Sequence, residues 1–381
     1  MTAKQLRICI ICPHFPPNDF ACGVGDYTGH VVDELLKIGH DITVLSSTLH
    51  HTQPKTDRLI VAPFTRTFGC MAGFRFLLLI RKNSFDLINM QHTPALYGFW
   101  FRVAVCFAGF ITPVIVTFHT LHGSTIFSKA QALMLLALSR GFISTNEEIT
   151  RILKQTPFIR KDFAQIPIGA NIVPLGQRPD RRQAKRSLNL PEECLVIANF
   201  GLFYPGRGIE TLLRACHSLK IKTGHFRLLL LGALREIDHT YITLVQNLVR
   251  ELGLDTHVVL TGDLEPKAVS AHLSTADIYC VPFDKGASIR RTTLITAIEH
   301  GLATVTTTAA IPSAYLNDKS GAFCFVPAQN PEVLAETLWQ LWNNSLRRET
   351  LETRIIALRP AFAWGSIGRD LNRELHRILA K

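Results

Sequence analysis

The stretch LVIANFGLFYPGRGIETLLRACHSL, residues 195–219, decides the fold. An apolar run of strand length, Leu195–Phe200, passes through a glycine-rich turn, Gly201–Gly208, into a helical pattern over Ile209–Leu219. Strand, turn and helix in that order open a βα unit, and the same pattern recurs on both sides. Downstream, Phe226–Leu231, Val258–Thr261, Ile278–Pro282 and Ala303–Thr306 read as strands. Helices at Tyr241–Leu252, Ala268–Ser274 and Thr292–His300 alternate with them. Upstream, Leu6–Cys12, Asp41–Leu45, Phe85–Met90, Val114–Phe118 and Phe142–Ser144 read as strands. Tyr27–Ile38 is helical there: Val31, Val32, Leu35 and Leu36 share a face, and Gly39 stands where a helix closes. Repeated strand–helix–strand units imply parallel sheets covered on both faces. The expectation is an α/β chain of two Rossmann-like, doubly wound domains facing a cleft. The loops at the carboxyl ends of their strands would line it.

Between the two series lies Asn171–Leu190, polar, basic and rich in Pro and Gln, which reads as a linker. Its one tight charge run is Arg178, Arg181, Arg182, Lys185 and Arg186, expected to be solvated. The organisation is then a first domain at 1–172, a linker at 173–190 and a second domain at 191–360. A terminal helix at 361–381 carries the apolar face Ile367, Leu371, Leu375 and Leu379.

The 381 residues are 47% hydrophobic and 19% charged, enough for large cores and far from a disordered composition. The net charge of +11 suits phosphate or anionic lipid. It is too dispersed for a nucleic-acid footprint, and no nucleic-acid partner is expected. Nine cysteines lack framework spacing, and Cys9 and Cys12 fall inside an apolar strand pattern, so they read as buried thiols and not as a zinc site. The N-terminus runs directly into a strand without a signal-peptide pattern. The most apolar stretch, Tyr97–Phe118, is broken by Arg102, Gly109 and Pro113 and reads as a buried helix and a strand, not a membrane span. A cytoplasmic protein is expected.

Three loops could carry chemistry. Gly23-Val24-Gly25-Asp26-Tyr27 precedes a helix and suits close approach of backbone N–H groups to an anion. It is a poor dinucleotide fingerprint, because Pro13–Cys22 separates it from the first strand and no acidic residue ends the second. In Gly201–Gly208, Arg207 stands just before a helix, where a cation and free N–H groups could hold a pyrophosphate. Asp284–Thr293 places Arg290 and Arg291 at another helix start. His119 and the Gln91-His92 pair follow strands of the first half.

Taken together, the chain resembles glycosyltransferase family 4, the retaining GT-B enzymes. Carrying the resemblance are Pro13-His14-Phe15-Pro16-Pro17 with Gly23–Thr28, Val116-Thr117-Phe118-His119, and Ile166-Pro167-Ile168-Gly169-Ala170-Asn171. In the second half they are Asn199-Phe200-Gly201, Arg207-Gly208-Ile209-Glu210, Ala276-Asp277-Ile278, Val281-Pro282-Phe283, Gly301-Leu302-Ala303 and Phe362-Ala363-Trp364. The resemblance implies a GT-B fold whose last helix crosses back to the first domain. It implies a nucleotide-diphosphate sugar as co-substrate, with no cofactor and no metal, and a sugar-containing acceptor. It makes Arg207 a cation on the diphosphate, with Arg290 and Arg291 expected to converge on the same leaving group, and puts His119 near the transferred sugar. Gly201, Gly208, Ser288, Arg290 and Thr292 join the donor site, and Gly23, Gly25, Asp26 and His92 the acceptor side. The sequence departs from the family where a pair of Glu residues is usual: Ser288 and Thr296 hold those positions, and Glu299 is out of register. Gly286-Ala287-Ser288-Ile289-Arg290-Arg291 is similar to a Gly-x-Ser-x-Arg-Arg loop found in a subset of the family. The rival readings are a sugar-nucleotide epimerase and a non-catalytic module that binds glycan or protein. Separately, Cys70–Lys82 mixes apolar and basic residues in a way that suits peripheral contact with the inner membrane surface.

Overall fold

A computed structural model of the protein describes residues 4–17, 22–47, 56–121, 123, 125–156, 163–176, 179–232 and 239–380. The chain divides into two compact units, the first formed by residues 1–169 with 363–381 and the second by 170–362.

In the first unit the chain runs β1 (Arg7–Ile11), α1 (Gly23–Ile38), β2 (Asp41–Ser46), β3 (Leu59–Pro63), α2 (Cys70–Lys82), β4 (Leu87–His92) and α3 (Phe99–Ala108). It continues through β5 (Val114–Phe118), α4 (Ile126–Leu138), β6 (Gly141–Ser144), α5 (Glu147–Gln155) and β7 (Phe163–Gln165). The strands are short, and the central ones, β1, β4, β5 and β6, are buried on both faces, as parallel strands under helices must be. They pair in parallel in the order β3-β2-β1-β4-β5-β6-β7, with Ile8 opposite Ile42 on one side and Leu87 on the other. The two-residue alternation divides the core. Cys9 and Ile11 share one cluster with Phe76 of α2, Val105 of α3, Leu135 of α4 and Leu153 of α5. Ile8 and Ile10 share the other with Val31 and Leu35 of α1.

The second unit contains α6 (Arg181–Ser187), β8 (Leu195–Phe200), α7 (Ile209–Lys222), β9 (Phe226–Leu231), α8 (His239–Glu251), β10 (Val258–Gly262) and α9 (Pro266–Thr275). Then come β11 (Ile278–Val281), α10 (Thr292–His300), β12 (Thr304–Thr307), β13 (Phe323–Val326), α11 (Pro331–Trp342), α12 (Ser345–Ile356) and α13 (Arg359–Phe362). Its parallel sheet has the order β10-β9-β8-β11-β12-β13. In each sheet the strand order reverses beside the unit's first strand, between β1 and β4 and between β8 and β11. The loops leaving the carboxyl ends of those strands splay apart there and leave room for a ligand. The final helix, α14 (Trp364–Leu379), belongs to the first unit, where Ile367, Leu371, Leu375 and Ile378 pack among the α1 side chains.

Three local expectations need correction. The glycine-rich segment at 23–27 is not a loop before a helix but the first turn of α1: Asp26 N donates to Cys22 O at 2.9 Å, and Thr28 Oγ1 donates to Val24 O. The basic run near 181 is only partly solvated: Arg182 and Arg186 are exposed as expected, but the segment forms α6, and Lys185 and Arg181 turn inward. Asp180 caps α6 by accepting from Gln183 N. Lys185 is buried, with Nζ 2.9 Å from Asp277 Oδ2 and 2.8 Å from Cys194 O, while Arg181 reaches both Asp277 and Glu352. Those bonds outweigh the solvation that the charge density suggested; Arg178 lies outside the described residues. Finally, β4 extends through Gln91 and His92, so both are strand residues. Cys9 and Cys12 are buried free thiols.

Candidate active site

At the switch point of the second sheet, the loop from β8 to α7 turns on two positions that exclude a side chain. Gly201 has φ 138°, and a Cβ there would lie 2.2 Å from Arg207 Nη2 and 2.7 Å from Thr293 Cγ2. Gly208, the left-handed N-cap of α7, would put a Cβ 1.8 Å from Pro282 O. The missing side chains let Arg207 fold back over the end of β8. It is only 4% exposed and donates from Nη2 to Phe200 O at 2.7 Å.

The loop leaving β11 brings a second guanidinium to the same place. Arg291 is the N-cap residue of α10 and donates from Nη1 to Tyr204 Oη at 2.8 Å. Both cations lean on one ring: Arg207 Cζ lies 5.2 Å, and Arg291 Cζ 4.4 Å, from the centroid of buried Phe283. Among the described residues neither forms an ion pair, and the Nε of each is buried without a partner. Burial pushes Arg207 below the usual guanidinium range, partly offset by Tyr279 and Tyr204 and reinforced by Arg291. It stays charged, as arginine does in proteins. Burial alone would raise the Tyr204 phenol, but Arg291 and then Arg207 outweigh it and lower it. A buried cation without a counter-charge is costly, and the half-buried Arg291 beside Arg207 adds like-charge repulsion to that cost. The start of α7 lies beside Arg207 and that of α10 beside Arg291, each with first-turn N–H groups that have no intrahelical acceptor. The chemistry on offer is anion binding by two fixed cations and two helix starts.

The other donor-side candidates divide. Thr292 opens α10. Ser288 is half-buried, its Oγ 3.5 Å from Arg290 N, and Arg290 itself is exposed and does not join the pair on Phe283. The expected convergence of three arginines is therefore a convergence of two. Thr296 and Thr293 on α10 are buried with unpartnered Oγ1 atoms. Glu299 is half-buried, and burial raises its carboxyl despite the nearby Arg359. Glu210, in the first turn of α7, accepts from Tyr241 Oη at 2.9 Å.

In the first unit, His119 follows β5. Its Nε2 lies 2.9 Å from Gln91 Oε1, and Gln91 Nε2 donates in turn to Asn89 Oδ1. Because the Gln91 amide nitrogen is committed, its oxygen accepts from His119 Nε2–H, which leaves Nδ1 as an acceptor lone pair. Burial pushes His119 down to about 3, so the ring is neutral. Tyr27 meets it edge-on at 4.7 Å, and Trp364 of α14 meets Tyr27 at 5.7 Å and stacks on His30 at 4.4 Å. The Tyr27 hydroxyl is buried without a partner. Asp26 is half-buried, its carboxyl raised by burial and lowered by His30. Gly23 is exposed and Gly25 buried, both in the first turn of α1. His92 lies beside His119, whose backbone N–H donates to His92 O at 3.0 Å, but faces the core. It is 2% exposed, packed on Tyr97 and Phe118, and lowered to about 3 by burial and the Arg102 charge.

Sequence reasoning missed Tyr204 and Phe283 as the ring partners of the arginines, and Gln91 as the group that sets the His119 tautomer. The first two had one available signal: each is an aromatic in a loop leaving a strand that borders the switch point.

Two parallel sheets of this order, each with polar groups at its switch point, define the GT-B glycosyltransferase architecture. Solved structures with the same fold include a glycosyltransferase from Rickettsia africae, with a TM-score of 0.74 at 16% identity over 99% of each chain. Another is the Anabaena protein HepE in complex with UDP and glucose, with a TM-score of 0.73 at 13% identity over 98% of this chain and 100% of that one. The phosphatidyl-myo-inositol mannosyltransferase of Mycobacterium leprae is 23% identical over 367 residues, 90% of this chain and 89% of its own. A family model described as Glycosyltransferase Family 4 matches residues 21–173, and one described as Glycosyl transferases group 1 matches 194–344. The chain belongs to glycosyltransferase family 4, and it is a transferase enzyme. Among the described residues no helix is long and apolar enough to cross a membrane.

Proposed function

We propose that the enzyme moves a hexose from a nucleoside-diphosphate sugar to a sugar-containing acceptor with retention of anomeric configuration. One observation carries this assignment: buried Arg207 and half-buried Arg291, without carboxylate partners among the described residues, meet on the Phe283 ring beside two helix starts. As the bond from the anomeric carbon to the diphosphate breaks, negative charge grows on the leaving oxygen. The two guanidiniums and the N–H groups at Thr292 stabilise that charge without reorganising. The acceptor hydroxyl attacks on the face the diphosphate leaves, and its proton passes to a diphosphate oxygen. Gly201 and Gly208 permit close backbone approach, Ser288 contributes a hydroxyl, and exposed Arg290 contributes only its field. On the other unit, neutral His119 accepts from a sugar hydroxyl at Nδ1, and the first turn of α1, Gly23–Asp26, receives the acceptor. His92 supports that site from below, because its burial leaves no access for substrate. The UDP and glucose held by HepE favour a diphosphate donor of this kind.

The test is a panel of nucleotide sugars, read by product formation with wild type, Arg207→Ala and Arg291→Ala. Loss of one preorganised donor lowers kcat by roughly 10²–10³. Turnover unchanged in both variants, or a product of inverted configuration by NMR, would overturn the assignment.

A further inference from the structure

The outward side of α2, α3 and α4 in the first unit is built unlike the rest of the surface. All five exposed Phe and Trp side chains among the described residues lie there: Phe74, Trp100, Phe107, Phe110 and Phe127. Trp100 is 60% and Phe110 80% exposed. Their helices cover one face of the sheet, with Phe76, Val105 and Leu135 turned into the core, so the exposed residues form the opposite, outer side. The three helices are neighbours: α2 packs on α3 where a Cβ at Gly73 would meet Ala104 at 3.0 Å, and Phe99 of α3 meets Phe127 of α4 at 5.5 Å. In α2, Met71, Phe74 and Leu78 make a second apolar stripe beside the buried one of Ala72, Phe76 and Ile80. A helix apolar on both sides is one that expects cover.

On α2, α3 and α4 themselves the charges have one sign, and the first carboxylates to follow them in sequence are those of Glu147 and Glu148 at the start of α5. From residue 59 to 146 the sequence holds a single acidic residue, Asp86, and α2, α3 and α4 contain none. The carboxylate of Asp86 is already engaged by the Arg7 backbone N–H at 2.8 Å. Against it stand exposed Arg66, Arg75, Arg81, Lys82, Lys129 and Arg140. Exposed aromatics inside a rim of bases alone match an interface between acyl chains and anionic headgroups. We infer that the outer side of α2–α4 docks the enzyme on the surface of an anionic phospholipid bilayer, with the aromatics in the acyl boundary and the bases on the headgroups. This goes beyond the sugar-transfer reading and does not depend on it.

The experiment is flotation of the full chain with phosphatidylcholine vesicles, alone or mixed with phosphatidylglycerol, together with tryptophan emission. The chain floats with the mixed vesicles and not with phosphatidylcholine alone. Its emission shifts to the blue, and Trp100→Phe removes the shift. Phe74→Ser with Phe107→Ser lowers partitioning at least tenfold. Arg81→Gln with Lys82→Gln lowers it roughly 25-fold, at about fivefold per base. All four positions are exposed, and circular dichroism confirms that the variants remain folded. The inference fails if the chain does not float with mixed vesicles at low salt, or if both double variants bind as wild type does. It also fails if sedimentation equilibrium shows a dimer that Phe74→Ser with Phe107→Ser disperses while vesicles remain unbound.

Discussion

A single methyl group should disable the anion site without touching either arginine. In Gly201→Ala the new Cβ would stand 2.2 Å from Arg207 Nη2, 2.9 Å from its Cζ and 2.7 Å from Thr293 Cγ2. The guanidinium is the movable partner, so it gives way and loses its 2.7 Å bond to Phe200 O. Gly206, in the same loop, is the control. Its φ is 95°, yet a Cβ there meets nothing within 4 Å. Both substitutions carry the strain of an L-residue at positive φ, about 1–3 kcal/mol. Both should lower the unfolding midpoint by roughly 2–4 °C per kcal/mol. Only Gly201→Ala also displaces a charged donor, worth about 1.5–3 kcal/mol in contact with an anion, or roughly 10- to 150-fold. Thermal melts and kcat/KM for the nucleotide-sugar donor, measured on both variants below their midpoints, separate strain from displacement. The expected pattern is a loss of stability in both variants, larger in Gly201→Ala because it also breaks the Arg207–Phe200 bond, and a loss of kcat/KM in Gly201→Ala alone. Equal kcat/KM in the two variants would refute the role given to Arg207.

Two further outcomes follow from the buried charges. Asp277→Ala removes the carboxylate shared by Lys185, Arg181 and the Val196 N–H and leaves a buried ammonium with carbonyls alone. Denaturant unfolding should show a loss of about 3–5 kcal/mol. The histidines of the first unit give a pH dependence. His92 and His119 are held neutral down to about 3, whereas in the unfolded chain they take up protons near 6.5. Their contribution to stability is complete above pH 6.5 and declines as pH falls toward 3, by about 1.4 kcal/mol per pH unit per histidine. Unfolding free energies measured from pH 7 to 4 should fall less steeply in His92→Gln, by close to one proton; an unchanged slope would contradict the neutral assignment.

The architecture was legible because buried parallel strands leave a simple trace. Ile8–Ile11, Val114–Phe118 and Leu228–Leu231 are apolar on both faces, and each is followed by a helix-period pattern. Gly39 closes α1 with φ 109°, which the pattern of the preceding helix anticipates. What misled was local propensity. Two glycines in Gly23–Gly25 argue against helix, yet α1 begins there because its first turn has an acceptor at Cys22 O. Density of charge at 181–186 argued for water, but Asp277, distant in sequence, comes close to Lys185. The donor loops could be found from strand order and glycine spacing. That Arg207 and Arg291 meet while Arg290 faces solvent could not, because it depends on how two loops 84 residues apart fold over Phe283. That neither Arg207 nor Arg291 has a carboxylate partner among the described residues has no one-dimensional signature at all.

Calorimetric titration of nucleoside diphosphates and the matching monophosphates into wild type and Arg291→Ala addresses the two-cation site most directly. At least one diphosphate should bind wild type roughly tenfold or more tightly than its monophosphate, since the second phosphate adds a charge-assisted contact of about 1.5–3 kcal/mol. Arg291→Ala should erase most of that preference while leaving the monophosphate affinity nearly unchanged. Equal affinity for the two nucleotides in wild type, or a preference that survives in Arg291→Ala, would contradict diphosphate recognition by Arg207 and Arg291.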